Sequence, residues 1–293
     1  LMGFKLFQTI FALLFNGIAY GMILFIISAG LSVTMGTMRV VNLAHCGFAM
    51  VGGYIAYALM DRLGLSFSLA IPAAFVLTCL LGAVLEYLLY RGIYRQTELK
   101  QVIMTLGLAL VMIASVNLLF GASVYNLNVP STLSGNVEVF GVGLSVYRIF
   151  LILVSSIVGL LIWYFVERTY LGKKLKAAVD NPGMARCVGI NVDVLFSGMF
   201  AVGCGLAALG GALGAELMPL QPFYALKYLV IAVIVVSIGG LGSIKGTLLA
   251  ALALGVVDTF GTYFFSDIGA FLIYFIMILV LFIRPQGLFG RRA

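Results

Sequence analysis

Residues 149–166 read IFLILVSSIVGLLIWYFV, a run with no charge in it. A run of that length and composition is a helix suited to the hydrocarbon of a bilayer. Residues 271–283, FLIYFIMILVLFI, have the same character. The 293-residue chain is 63% hydrophobic and 9% charged. So few charges cannot cover a water-soluble fold of this size. Lipid is therefore the solvent, and backbone polar groups must be satisfied by helices or a closed barrel. Barrel strands alternate in polarity, and these runs do not. The fold class is all-α: a polytopic transmembrane helix bundle, with residues 1–293 forming a single transmembrane domain.

With roughly 20 residues needed per span, about nine spans are expected, within a range of eight to ten. They lie near 7–36, 46–60, 68–90, 102–120, 149–166, 194–217, 228–238, 247–265 and 268–283. Residues Gly36–Gly53 hold Arg39, Asn42 and His45 among small residues. A discontinuous or re-entrant segment is expected there, because irregular backbone at membrane depth must be covered by protein or a watery cavity. The first apolar run is long and lacks a small-residue cleavage site, so it reads as a retained span.

Net charge is +7. The cations sit in loops and at the chain ends, where they set topology and attract anionic lipid rather than nucleic acid. Basic regions lie at 91–100, with Arg91, Arg95 and Lys100; at 167–191, with Arg168, Lys173, Lys174, Lys176 and Arg186; and at Arg284, Arg291 and Arg292. An even number of spans separates each pair, so all three share the cytoplasmic side. The side of the N-terminus stays open, since Lys5 alone decides little. Residues 121–147 carry no cation before Arg148 and read as an extracytoplasmic loop.

Cys46, Cys79, Cys187 and Cys204 form no C-x-x-C pair, and His45 is the single histidine. No metal site, cofactor or catalytic residue is expected. Residues 239–247 hold the ingredients of a P-loop in the wrong order. Any ATP used in the protein's work is bound by another chain.

Intramembrane polar groups are costly and mark candidates. Glu216, at the end of the sixth run, reads either as a pathway-lining carboxylate at the outer mouth or as an interfacial group facing water. Asp258 and Glu86 read as structural polar groups, Glu86 pairing locally near the cytoplasmic face. His45 either lines a polar pathway with Asn42 or caps a broken helix. Gly239, Gly240, Gly242 and Ser243 interrupt an apolar run before Lys245. They make a helix break that lines the pathway or joins two spans on the cytoplasmic side.

Residues 167–191 are the most informative segment. Asn181 is placed to cap a short helix with Pro182 at its first position, and Gly189 to end it. Met184, Ala185 and Val188 would then share one face. Such a helix docks into a partner's groove or lies on lipid headgroups.

The same segment resembles the cytoplasmic loop of branched-chain amino acid ABC importer permeases. The matching residues are Arg168, Gly172, Lys176, Ala177, Asp180, Asn181, Met184, Ala185, Gly189, Ile190 and Asn191. Asn42-Leu43-Ala44-His45 after Val41 is similar to the family's N-[FL]-A-H. Gly239 through Gly246 resembles its G-G-x-G-S-x-x-G, and Arg284 through Gly290 its R-P-x-G-L-x-G. Departures are Cys46 and Gly47 after the histidine, and Tyr87 and Gly92 after Glu86. The resemblance implies a permease subunit, of the shorter type, in a bacterial inner membrane. It implies a second homologous permease subunit, two cytoplasmic ATPase subunits that bind ATP and magnesium, and a periplasmic substrate-binding protein. The loop at 168–191 would then couple the ATPases to the spans.

Overall fold

The computed structural model describes residues 2–38, 42–94, 96–265 and 269–289. Arg39, Val41, Arg95, Ile268, Gly290, Arg291 and Arg292 lie outside the described residues.

Each apolar run marked in the sequence is built around a helix. The elements are α1 (Met2–Met38), α2 (His45–Asp61), α3 (Phe67–Leu85), a π-helical turn (Glu86–Tyr90), α4 (Arg91–Ile93), α5 (Glu98–Phe120), α6 (Val146–Arg168), α7 (Tyr170–Asp180), α8 (Pro182–Cys187), α9 (Val192–Gly214), α10 (Tyr224–Gly239), α11 (Ile244–Phe264) and α12 (Gly269–Ile283). Six helical stretches are long and apolar enough to cross a membrane: those in α1, α5, α6, α9 and α11, and residues 67–93 taken together. The chain is a multi-pass membrane protein. Helices α2, α10 and α12 have 17, 16 and 15 residues. Each is shorter than the roughly 20 residues of a full crossing.

Two departures from the expected layout have simple causes. The stretch read as an extracytoplasmic loop at 121–147 contains a hairpin, β1 (Asn136–Val139) and β2 (Val142–Ser145), paired antiparallel. Its turn places Phe140 and Gly141 at positive φ. The sixth run ends at Gly214 rather than Leu217, so Glu216 lies beyond the helix. The chain turns there to pair Leu220 with Tyr125 through two backbone hydrogen bonds of 2.9 Å.

The bundle has two distinct ends. At one, Gln8 of α1 donates to the carbonyl of Phe140 at 3.1 Å, tying the start of α1 to the hairpin. At the other, Val33 of α1 packs with Leu175 of α7 and Met199 of α9. Residues 91–94, 96–100, 168–191 and 284–289 gather at this second, basic end. Helix α1 therefore starts at the hairpin end and finishes at the basic end, a side that Lys5 alone could not decide.

Lipid-embedded helices gain little from the hydrophobic effect, so small residues that allow close approach carry the association. Helices α1 and α11 run antiparallel with Gly17 and Gly21 against Gly255, Val256 and Ala251. A Cβ at Gly21 would stand 2.7 Å from the Ala251 carbonyl oxygen. Buried hydrogen bonds across elements add to this. Tyr147 donates to the Leu213 carbonyl at 2.7 Å, joining α6 to α9.

Candidate functional site

The loop at the basic end is built by three successive caps. Thr169 accepts from the Gly172 amide at 3.2 Å and opens α7. Asn181 accepts from the Met184 amide at 3.0 Å and opens α8, with Pro182 at its first position. Asn191 accepts from the Val194 amide at 3.1 Å and opens α9. Each satisfies a helix-terminal donor that has no partner within its own helix. Helix α8 closes as its sequence indicated. Gly189 sits at φ +84°. Its amide reaches the Arg186 carbonyl at 3.1 Å, and that of Ile190 the Ala185 carbonyl at 3.0 Å. This is a Schellman cap, and it needs the left-handed conformation that glycine adopts without penalty.

One expectation about this helix is corrected. Met184, Ala185 and Val188 do not share a face. Ala185 is 3% exposed and packs with Ala178 and Val192, against Ile190, Leu195 and Phe196. Met184 and Val188, one turn apart, are 63% and 69% exposed. A six-residue helix anchored through one small side chain must turn its larger apolar groups outward. Within α7, Gly172, Leu175 and Ala178 are buried at a spacing of three. Arg168, Ala177, Asp180, Asn181, Gly189 and Asn191 are exposed, while Lys176 and Ile190 are partly buried. Lys176 pairs with Glu167 at 2.6 Å.

Asn42 and His45 lie at the buried start of α2. The Asn42 side-chain oxygen accepts from the Ala44 amide at 3.0 Å and from the Tyr90 hydroxyl at 2.8 Å. His45 Nε2 lies 2.9 Å from the Ile27 carbonyl oxygen. A carbonyl only accepts, so this nitrogen carries the proton. Gly30 makes room for the ring, since a Cβ there would stand 3.0 Å from His45 Cε1. His45 Nδ1 and Asn42 Nδ2 are buried without a partner among the described residues.

Gly239, Gly240, Gly242 and Ser243 form the turn between α10 and α11. Gly240 and Gly242 have positive φ, and Ser243 caps α11 by accepting from the Gly246 amide at 3.1 Å. The turn lies at the basic end, with Gly242 packed against Gly36. Behind it the carbonyls of Ile238 and Gly239 accept from the amides of Leu288 and Phe289, at 2.7 and 3.2 Å.

Glu86 is 1% exposed, at the start of the π-helical turn. Its carboxylate takes Arg91 at 3.3 Å, the Tyr94 hydroxyl at 3.1 Å and the Ser197 hydroxyl at 2.7 Å. The first two partners are local, as expected. Ser197 comes from α9, so the group also ties α3 to the helix that follows the basic loop.

Glu216 is exposed beyond α9, at the hairpin end. Partial burial raises its carboxyl pKa above the ordinary value, and the charge of Arg148 opposes that shift. Arg148 also hydrogen-bonds Asn16 of α1. Asp258 on α11 lies within electrostatic reach of Lys227 on α10. The expected site residues thus fall in separate places. Asn42 and His45 are brought together within the bundle, Gly239–Ser243 lie at the basic end and Glu216 at the hairpin end. Tyr90, Arg148, Ser197 and Thr169 escaped the sequence reading. Only Thr169 carried a usable signal, as a threonine three residues before Gly172.

A helical bundle of this hydrophobicity, with a capped loop at its basic end, is that of a multi-pass membrane protein. The chain belongs to the family described as branched-chain amino acid transport system / permease component, whose sequence model matches residues 13–281. It is 29% identical to the high-affinity branched-chain amino acid transport system permease protein BraD of Pseudomonas aeruginosa, over 95% of each chain. It is 25% identical to the probable branched-chain amino acid transport permease protein LivH of Methanocaldococcus jannaschii, over 94% of this chain and 91% of that one. The ribose import permease protein RbsC of Haemophilus influenzae is 28% identical, over 82% of this chain and 72% of its own length. These relatives are transport permease components rather than enzymes.

Proposed function

We propose that this chain is the membrane subunit of an ATP-driven importer that moves branched-chain or related amino acids across a bacterial inner membrane. A second homologous permease subunit completes the translocation path. A periplasmic binding protein delivers the solute at the hairpin end. Two cytoplasmic ATPases, which hold the ATP and magnesium, dock at the basic end. The permease itself contributes no catalytic group.

The observation that supports this reading is the outward pair of Met184 on α8 and Val188 at its C-cap. Two large apolar side chains exposed on a polar, basic loop fit a helix that inserts into a partner's groove. Caps at Asn181 and Gly189 hold that helix rigid, and Ala185 fixes it to α7 and α9. Motion of a docked ATPase then reaches α9, and through Ser197 and Glu86 reaches α3. The printed names of BraD and LivH favour amino acids as cargo, and those relatives match over more of this chain than the ribose permease does.

The test is affinity purification from native membranes in mild detergent, with identification of what accompanies the chain, followed by uptake of labelled leucine into vesicles holding the complex. Copurified ATPases and ATP-dependent uptake support the reading. A chain that purifies without an ATPase after crosslinking, and moves solute unaided, overturns it.

A further inference from the structure

A cavity of about 610 Å³ opens between α1, α6 and α11. Its walls include Ile18 and Phe25 of α1, Ile152 and Gly159 of α6, and Leu248 and Leu252 of α11. From Ile152 to Trp163 it follows α6 for about 17 Å at the usual helical rise. That is close to one leaflet of a hydrocarbon core roughly 30 Å thick. The cavity is apolar but for the Ser155 and Ser156 hydroxyls, and ends at Trp163 and Lys245, at the basic end.

That end carries two cations, Lys245 and Arg168. Lys245 Nζ stands 5.9 Å from the centre of the Trp163 ring, and the Arg168 guanidinium carbon 5.9 Å from the same ring. Neither cation forms an ion pair among the described residues. The Trp163 Nε1–H is buried and has no acceptor there. A mostly apolar slot one leaflet deep, with Lys245 and the Trp163 N–H donor at its end and Arg168 beside the same ring, is complementary to a molecule with one long apolar tail and an anionic head.

We propose that this groove binds an anionic phospholipid from the leaflet at the basic end. One acyl chain fills the slot between α1, α6 and α11. The phosphate lies between Lys245 and Arg168 and accepts from Trp163 Nε1–H. Gly159 shapes the floor, since a Cβ there would stand 2.7 Å from the Phe25 ring. Anionic lipid bound here bridges α6, which leads into the basic loop, and α11, which follows the glycine turn. It would steady the junction on which α7 and α8 hang.

Trp163 is the only tryptophan of the chain, so its fluorescence reports on the site directly. The full-length chain is placed in vesicles containing phosphatidylglycerol or phosphatidylcholine with brominated acyl chains, which quench tryptophan on contact. Brominated phosphatidylglycerol is expected to reach half-quenching at a lower mole fraction than brominated phosphatidylcholine. The preference should fall roughly fivefold in Lys245→Gln, the factor for one basic residue at an anionic surface. Leu160→Trp is unsuitable for this readout, so Leu160→Phe serves to crowd the mouth of the groove and should weaken quenching by both lipids. Lys245 and Leu160 are exposed, so neither substitution removes a buried contact. Equal quenching by the two lipids in the unaltered chain, or a preference unchanged in Lys245→Gln, overturns the proposal. So does crosslinking of Leu160→Cys to a second permease chain in the assembled complex, which would make the groove a subunit interface.

Discussion

The ring nitrogen Nε2 of His45 lies 2.9 Å from the carbonyl oxygen of Ile27, so the first turn of α2 is bonded to the interior of α1. Both groups are wholly buried, and the bond crosses the break between the two helices. Asn42 works beside it, turning the chain into α2 while receiving the Tyr90 hydroxyl. The start of α2 is therefore held by the side chains of His45, Asn42 and Tyr90, with the Ile27 backbone carbonyl of α1 as one acceptor.

His45→Leu is expected to lower stability by about 0.6–1.7 kcal/mol, the scale of an interhelical polar contact in a membrane protein. Thermal unfolding of the purified protein in detergent measures it. An unchanged melting temperature would show that the bond to Ile27 contributes nothing.

Glu86→Ala should cost more than Ser197→Ala. The first leaves Arg91, Tyr94 and Ser197 without their shared acceptor, and the second removes one donor of three. A loss of about 1–3 kcal/mol is expected for Glu86→Ala, toward the lower end because the Arg91 side chain is 42% exposed. Ser197→Ala should lose about 1 kcal/mol. Denaturation in graded detergent mixtures would order the two, and a reversed order would contradict the geometry.

Met184→Asp and Val188→Asp should leave folding intact, because both side chains face outward. They should reduce ATPase copurification and ATP-dependent uptake at least tenfold. Ala185→Asp should behave differently, placing a charge among Ala178, Val192 and Phe196 and lowering the yield of folded protein. Size-exclusion profiles beside uptake assays separate the outcomes. Full coupling in the Met184 and Val188 variants would remove the docking role.

Gly21→Leu and Gly255→Leu should prevent stable packing of α1 on α11. At Gly255 a Cβ would stand 2.5 Å from Gly21 Cα, and backbone cannot yield as a flexible side chain does. Loss of monodisperse protein is expected in both, while Gly107→Leu, where a Cβ meets nothing within 4 Å, should be tolerated.

The helices were legible because apolar length is a strong signal, and the caps of α8 because Asn, Pro and Gly act locally. Asn181, Pro182 and Gly189 each took the role their chemistry indicated. The inward turn of Ala185 was not legible: periodicity groups residues on a face but does not say which face meets the protein. Glu86 shows the same limit in another form. Its bonds to Arg91 and Tyr94 are near in sequence, whereas Ser197 reaches it only through the packing of α9 on α3. The hairpin at 136–145 escaped notice because its short strands lack a clear alternation.

The carbonyls of Ile238 and Gly239 wait for amides that the ribosome supplies much later. Leu288 and Phe289 are made only after α11 and α12, so α10 enters the membrane with its basic end unfinished. Closure at this place therefore follows synthesis of the whole run from Gly240 to Phe289. A cut between α12 and Leu288 would spare every long helix and still leave α10 open, at the turn against which Gly36 of α1 packs.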